Sequence, residues 1–342
     1  LGALYDLSIY SFSRLASHPA LGTNNCTISY PPASFGNNSL LKILFYLWRI
    51  RRDHAQRAFS ATHGFWIMSQ GITAVLAAKM LRIPSIVSLL GGDVVYFPTI
   101  NYGSVRTVAH KKMITWCIKN ADRVTVLTRF QEQVMKANGI SREHVAIIPF
   151  GVNITQFSFR PHATSGRLEF IFIGNLNRVK DPYTAIRTFS LLTKNRDCHL
   201  TVVGSDTLAG VVQEYARSLN VYERIEWKGK VRHETIPSLL HSTDFLLLTS
   251  LFEGEAVVVM EAFACGVIVA GTRVGLLADV GDDDVTVESG DAIGLADKID
   301  RLISQPERLQ EMRVKNRKLA EDYSIEWTCS EFSRLYEEVV KK

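Results

Sequence analysis

Leu251-Phe-Glu-Gly-Glu-Ala-Val-Val-Val-Met-Glu-Ala-Phe-Ala-Cys-Gly266 decides how this chain is read. It follows an apolar run, Phe245-Leu-Leu-Leu-Thr-Ser250, which reads as a buried parallel strand. Ala256 to Cys265 then reads as a buried helix stopped by Gly266. Glu253 therefore falls in the strand-to-helix loop, and Glu261, eight positions on, falls inside the helix among Val, Met, Ala and Phe. A carboxylate in so apolar a setting is costly to bury unless hydrogen-bond donors meet it. No Lys or Arg lies between Thr249 and Thr272, so the donors come from elsewhere in the fold or from a ligand. Vicinal sugar hydroxyls would serve, and the free N–H groups and positive dipole end of the helix start beside Glu253 suit phosphate. Together these describe a sugar-nucleotide site. The same residues also fit a structural glutamate salt-bridged to a distant Arg.

Outward from that segment the chain alternates strand and helix. In the first half, strands are expected at Leu7–Phe12, Ala61–Phe65, Ser85–Leu90, Arg123–Thr128 and Val145–Ile148. Helical patterns lie between them at Ser39–Phe59, Gly71–Leu81, Ser104–Lys119 and Phe130–Asn138. In the second half, strands are expected at Leu168–Ile173, Leu200–Val203, Arg224–Trp227, Phe245–Thr249 and Val267–Ala270, with helices between. Apolar strands spaced by such helices make parallel sheets covered on both faces, hence an α/β fold. Ligands of open parallel sheets bind at the carboxyl ends of the strands. A turn-rich stretch from Pro149 to Gly166 reads as a linker between two domains, and 342 residues suit two domains better than one. Tyr5 to Phe12 reads as a second strand rather than a first, with no glycine-bearing loop ahead of it, so a truncated start is expected.

Composition narrows the classes. With 46% hydrophobic and 21% charged residues, the chain has ample core for a globular protein. Five scattered cysteines, with no Cys-x-x-Cys and no Cys/His cluster, point away from a disulfide framework or a zinc site and toward a reducing compartment. No apolar stretch approaches the ~18 residues of a membrane span, and no signal peptide is visible. Charge is uneven: residues 1–165 hold 17 Lys/Arg against 6 Asp/Glu, residues 166–342 hold 22 against 28. In Ser39–Arg57 a strongly apolar helix carries Lys42, Arg49, Arg51, Arg52 and Arg57, a combination that fits an anionic membrane surface as well as a helix packed on the sheet with a solvated basic end. No recognition motif accompanies the charge, so nucleic acid is not expected as a partner.

The E-x7-E pair followed by Ala-Phe-Ala-Cys-Gly266 resembles the nucleotide-sugar site of retaining glycosyltransferases of family 4, the group 1 glycosyltransferases. The resemblance covers nearly the whole chain. Phe172-Ile-Gly-Asn-Leu-Asn-Arg-Val-Lys-Asp181 is similar to that family's first strand and phosphate loop in the donor domain. Leu200-Thr-Val-Val-Gly-Ser205 is similar to its next strand and turn. Trp227 to Val231, Asp244, and Ile148-Pro-Phe-Gly-Val-Asn153 fall where family members carry similar residues. What this implies is the GT-B architecture, two Rossmann-like domains facing across a cleft. Residues 1–155 would hold the acceptor and lack their first strand, residues 166–325 would hold the nucleotide sugar, and a helix in 326–342 would return to the first domain.

The resemblance also implies roles. Glu253 would contact the transferred sugar and Glu261 would grip the ribose hydroxyls. Lys180, following the glycine turn at Gly174, would meet the diphosphate. Relatives usually place an arginine where this chain has Asn175, which donates a hydrogen bond without charge; Arg178 is close enough to substitute. Where relatives carry Gly-Phe-Gly-x-Pro after the first glutamate, this chain has Ala256 for the second glycine and Val258 for the proline. The N–H groups of Ala256 and Val257 would still point at phosphate, and Gly204 and Val231 would flank the base. On the acceptor side, Gly91 and Asp93 match a His-Gly-x-Asp pattern in which Leu90 replaces the histidine; Asp93 fits a helix cap equally well. His63, at a strand end, fits either an acceptor contact or a structural histidine.

The implied reaction transfers a sugar from a nucleotide-diphosphate sugar to a glycan or lipid-linked acceptor with retention, in cell-surface polysaccharide synthesis. It would run in the cytoplasm, with peripheral attachment to the inner membrane face as a further option. UDP, GDP and ADP remain open as the carrier; no permanently bound cofactor and no metal are expected, and Asp282-Asp-Asp284 reads as a solvated turn. Two other readings stand beside this one: a non-catalytic nucleotide- or partner-binding relative, and a sugar-nucleotide epimerase of the same fold.

Overall fold

The computed structural model describes residues 5–13, 25–160 and 166–341. In the first half, β1 (Leu7–Tyr10) runs parallel to β2 (Cys26–Ser29), and α1 (Ser39–Gln56) follows. Then come β3 (Thr62–Phe65), α2 (Ile72–Leu81) and β4 (Ser85–Ser88), an antiparallel pair β5 (Tyr96–Phe97) and β6 (Tyr102–Gly103), and α3 (Val108–Asn120), β7 (Arg123–Val126), α4 (Arg129–Ala137) and β8 (Val145–Ile147). Strands β3, β4, β7 and β8 form one parallel sheet in that order, separate from the β1–β2 pair. All four residues of β4 are buried, the signature of a strand covered on both faces.

The second half continues with β9 (Leu168–Ile173), α5 (Pro182–Leu192), β10 (Cys198–Val203), α6 (Val211–Ser218), β11 (Ile225–Gly229), α7 (Ile236–Leu240) and β12 (Phe245–Leu248). It closes with α8 (Val257–Cys265), β13 (Ile268–Thr272), α9 (Leu276–Val280), β14 (Thr286–Val287), α10 (Ala292–Ile303), α11 (Pro306–Asp322) and α12 (Ile325–Val340). Its six strands pair in the order β11-β10-β9-β12-β13-β14, all parallel. That is the doubly wound order, and it places the topological switch between β9 and β12. Phe170, Phe189 and Phe245 anchor the core on one face of this sheet, while Val259, Met260 and Phe263 of α8 fill the other.

Several elements differ from the sequence expectation for local reasons. The helix expected from Ser104 begins only at Val108, because the Thr107 hydroxyl accepts the His110 N–H at 3.1 Å and caps it there. The strand expected at Arg224–Trp227 runs Ile225–Gly229. Strand β2 and the β5–β6 hairpin were not expected; each strand spans four residues or fewer, too short for a periodicity. Part of the linker stretch, residues 161–165, lies outside the described residues.

Two chain crossings join the halves. Val152 bridges Ser324, and the Ile325 N–H donates to the Val152 carbonyl at 3.0 Å. The strands press so closely that a Cβ on Gly151 would lie 2.1 Å from the Ser324 carbonyl oxygen, which only glycine avoids. Beyond the crossing, Phe332, Leu335 and Val339 of α12 pack on Ile86 and Ile148 of the first half.

Candidate active site

The switch between β9 and β12 is where the two loops of interest meet. The loop after β9 carries Gly174, Asn175, Arg178 and Lys180; the loop after β12 carries Glu253 and leads into α8. Lys180 Nζ lies 2.6 Å from Glu253 Oε1, and the Ser250 hydroxyl reaches the same oxygen at 2.5 Å. The Lys180 loop is fixed from both ends: Leu251 N–H donates to the Val179 carbonyl at 2.7 Å, and the Thr249 hydroxyl donates to the Asp181 carbonyl at 2.8 Å. Gly174 lies under the Lys180 methylenes, 3.6 Å from where its Cβ would be. A Cβ on Gly204 would fall 2.0 Å from the Gly174 carbonyl oxygen, so the turns after β9 and β10 are in contact through backbone alone. Asn175 is exposed, with its side-chain oxygen accepting the Ser205 N–H at 3.2 Å, and Arg178 is exposed beside it.

Glu261 is 7% exposed inside α8. Its partner is not an arginine but His233, whose Nε2 lies 2.6 Å from Oε1. His233 belongs to the turn after β11, two residues past Val231, and its ring leans on Phe157 at 5.5 Å. Sequence reading passed over His233 because the two partners are 28 positions apart on different elements. Ala256, at the start of α8, has φ of 69°, a left-handed backbone that glycine adopts without strain and alanine does not. Val257, the first helical residue, is exposed at the same end.

The first half closes over this loop. Phe252, buried to 2% exposure, inserts among Phe97, Tyr102 and Phe130, with ring centroids 5.9 to 6.3 Å away. The Thr128 hydroxyl donates to the Gly254 carbonyl at 2.8 Å. A Cβ on Gly254 would lie 2.7 Å from the Leu90 carbonyl oxygen. Asp279 accepts the Arg129 and Phe130 N–H groups at 2.6 and 2.9 Å, capping α4 from the other half. Glu255 is a further residue that sequence reading missed. It is 2% exposed, Oε2 accepts the Phe150 N–H at 2.9 Å, and Oε1 has no partner among the described residues. Burial pushes its carboxyl up to about 8, against the lowering effect of that one bond. Burial likewise raises the Tyr102 hydroxyl to about 12, with the Glu253 and Asp93 charges adding to it.

The acceptor-side candidates lie differently. Asp93 is 2% exposed; Oδ1 accepts the Ile67 N–H at 3.0 Å, and Oδ2 accepts those of Leu90 and Gly91 at 3.0 and 3.2 Å. Burial raises its carboxyl and the backbone bonds pull it back. It caps its own turn rather than the following helix. Gly91 lies against Trp66, whose ring carbons are 3.0 Å from where a Cβ would sit, and against Gly254 of the second half. His63 does not reach the cleft group: Nδ1 lies 2.8 Å from the Tyr336 hydroxyl, Nε2 lies 2.7 Å from the Ser88 hydroxyl, and the ring stacks on Phe65 at 4.1 Å. Burial drives its imidazole down to about 3, so it is neutral. Among the described residues no group of three His, Cys, Asp or Glu is arranged for a metal ion, and Asp282 and Asp284 are tied to Arg308.

Comparison with known proteins bears on the whole arrangement. The family model for glycosyl transferases group 1 matches residues 154–319, and that for the glycosyl transferase 4-like domain matches residues 14–151. The chain belongs to the group 1 glycosyltransferases. N-acetyl-alpha-D-glucosaminyl L-malate synthase of Bacillus anthracis is 26% identical to this glycosyltransferase over 296 residues, 82% of this chain and 74% of the relative. D-inositol 3-phosphate glycosyltransferase of Arthrobacter sp. (strain FB24) is 27% identical over 48% of this chain and 43% of its own length. Among solved structures, Anabaena Alr3699/HepE in complex with UDP-glucose superposes with a TM-score of 0.74 at 14% identity, covering 97% of this chain and 99% of its own. Sucrose-phosphate synthase from Thermosynechococcus elongatus gives 0.76 at 19% identity, covering 98% and 89%. The fold is GT-B, two Rossmann-like domains facing across a cleft.

Proposed function

We propose that this glycosyltransferase moves a sugar from a nucleotide-diphosphate sugar to a glycan or lipid-linked acceptor with retention of anomeric configuration. Residues 166–325 take the donor and residues 1–155 the acceptor. The observation that carries this reading is the meeting of Lys180 and Glu253, 2.6 Å apart, at the switch between β9 and β12 beside the N-terminus of α8.

Breaking the bond from the anomeric carbon to the diphosphate builds positive charge on the sugar and negative charge on the leaving group. Lys180, the N–H groups of Ala256 and Val257 and the α8 dipole stabilise the departing diphosphate, with Asn175 and Arg178 at the rim. Glu253 holds a hydroxyl of the transferred sugar and the reacting face of the donor. Glu261 accepts from the ribose hydroxyls in place of His233, Gly204 and Val231 flank the base through backbone, and Gly174 gives the turn that brings Lys180 to the diphosphate. On the acceptor face, the Leu90-Gly91 backbone against Gly254 forms the wall, and Asp93 holds that wall in shape. UDP is the favoured carrier, since the structural neighbour Alr3699/HepE was solved with UDP, UDP-glucose, and UDP with glucose.

Incubating the full chain with UDP-, GDP- and ADP-sugars and a panel of glycan and lipid-linked acceptors, and following nucleotide release, tests the reading. Acceptor-dependent release from one donor, a product of unchanged anomeric configuration by NMR, and loss of release in Glu253→Gln are expected. Nucleotide binding without turnover on any acceptor would move the chain to the non-catalytic reading, and an inverted product would refute retention.

A further inference from the structure

A surface helix normally turns its apolar face inward and its charged face to water. Helix α1 does this on one side only. Tyr46 and Ile50 are buried against Ala77 of α2 and the aromatic rings of the β1 segment. The opposite face, pointing to solvent, carries Leu40, Leu41, Leu44 and Trp48, which are 65, 42, 55 and 55% exposed. Their spacing of three and four residues puts them on one stripe, and the next turn of the same stripe carries Arg51 and Arg52, both exposed. The Arg52 guanidinium lies 5.6 Å from the Trp48 ring centre. The other Lys and Arg of the helix and its C-cap are already engaged: Arg49 with Asp53, Arg57 at the C-cap with Asp6, and Lys42 with the Phe12 carbonyl. Arg51 and Arg52 enter no ion pair among the described residues.

An outward stripe of leucines and a tryptophan ending in arginines is unfavourable in water and well suited to the boundary between lipid headgroups and acyl chains. The charge around it points the same way, since residues 1–165 carry 17 Lys/Arg against 6 Asp/Glu. No helix among the described residues is long and apolar enough to cross a membrane, so contact through α1 would lie in the membrane plane. We infer that the outward face of α1 docks on an anionic lipid surface, with Leu40, Leu41, Leu44 and Trp48 entering the interface and Arg51 and Arg52 meeting lipid phosphates. This inference does not depend on the sugar-transfer reading.

Flotation of the full chain with vesicles tests it. The probes are vesicles of phosphatidylcholine alone and of an equimolar mixture with phosphatidylglycerol. The wild type should float with the mixed vesicles and far less with the neutral ones. The triple variant Leu40→Ser, Leu44→Ser, Trp48→Ser should lose about tenfold or more in partition, because three apolar side chains no longer enter the interface. Arg51→Glu with Arg52→Glu should abolish the preference for phosphatidylglycerol. Thermal unfolding of each variant, unchanged from wild type, verifies that folding is intact, and calorimetric titration of UDP reads the donor site separately. Failure of the wild type to float with either vesicle, or flotation of the triple serine variant like wild type, would overturn the inference. So would a dimer in solution that the serine variant dissociates while the wild type ignores vesicles, which would assign the face to a second copy of the chain.

Discussion

Asp93 and His63 in the first half, and Glu261 and His233 in the second, put the same two kinds of group, a carboxylate and an imidazole, to different use. Asp93 is saturated by three backbone N–H groups and His63 by two hydroxyls, all fixed by the fold. Glu261 is met by a single side chain, and that side chain, His233, is 60% exposed. Glu253 likewise is met by side chains, the partly exposed Lys180 and the buried Ser250 hydroxyl, of which Lys180 is the exchangeable one. A partner held by backbone cannot leave without unfolding the turn, whereas an exposed side chain can rotate and yield its place to a hydroxyl. By this criterion the second half offers exchangeable contacts, and Asp93 and His63 of the first are committed to architecture.

Breaking the fixed set should therefore show in stability. Asp93→Ala leaves three buried N–H groups without an acceptor and should destabilise the chain by about 3–5 kcal/mol, read by denaturant unfolding. A loss under about 1 kcal/mol would mean water serves those donors.

Breaking the exchangeable set should show in rate. On the proposed reading Lys180→Met removes the cation that would face the leaving diphosphate, and it should lower kcat by about 10²–10³, the usual scale for one transition-state donor. The unfolding midpoint should move little, because the Lys180–Glu253 pair is partly exposed and screened.

Glu255 sharpens the comparison from the side of pH. Its folded-state value of about 8 lies above that of the unfolded chain, so the folded state holds the proton over a range where the unfolded state has lost it. Its contribution is fully present below about pH 4.5 and is lost as the pH rises to about 8. Glu255→Gln should abolish that slope when stability is measured at a series of pH values. His63 acts in the opposite sense: its depressed imidazole makes stability rise with pH from about 3 to about 6.5. A Glu255→Gln variant with the wild-type pH slope would show that the carboxyl ionises freely in the folded chain.

The smallest effect is at Ala256. Its φ of 69° suits glycine, so Ala256→Gly should stabilise the chain by about 0.5–1 kcal/mol in thermal or denaturant unfolding, relieving left-handed strain. A loss of stability would place the gain in backbone strain below the entropy that glycine adds to the unfolded chain.

The β12–α8 unit was legible because its signals are local: four consecutive apolar residues make a doubly covered strand, and Gly266, at φ of 82°, stops the helix. The loop after β9 was legible for the same reason. What could not be read depended on distant closure. The cage around Phe252 comes from Phe97, Tyr102 and Phe130 of the other half, which no local pattern shows. Glu255 was missed because its Phe150 N–H partner is 105 positions away. Asp93 matched a motif by type, but a motif gives no sight of the Ile67 N–H, 26 positions away, that occupies it. The outward stripe of α1 was visible only as an apolar helix with basic residues, because which face turns to water is set by Tyr46 and Ile50 packing inward.

The most direct measurement is calorimetric titration of UDP into the wild type and into Glu261→Ala. If Glu261 exchanges His233 for the ribose hydroxyls, the variant should unfold like wild type yet bind UDP more weakly by about 1.5–3 kcal/mol, the worth of a charged hydrogen bond. Equal affinity in the two proteins would contradict the account, leaving Glu261 and His233 as a structural pair like those of the first half.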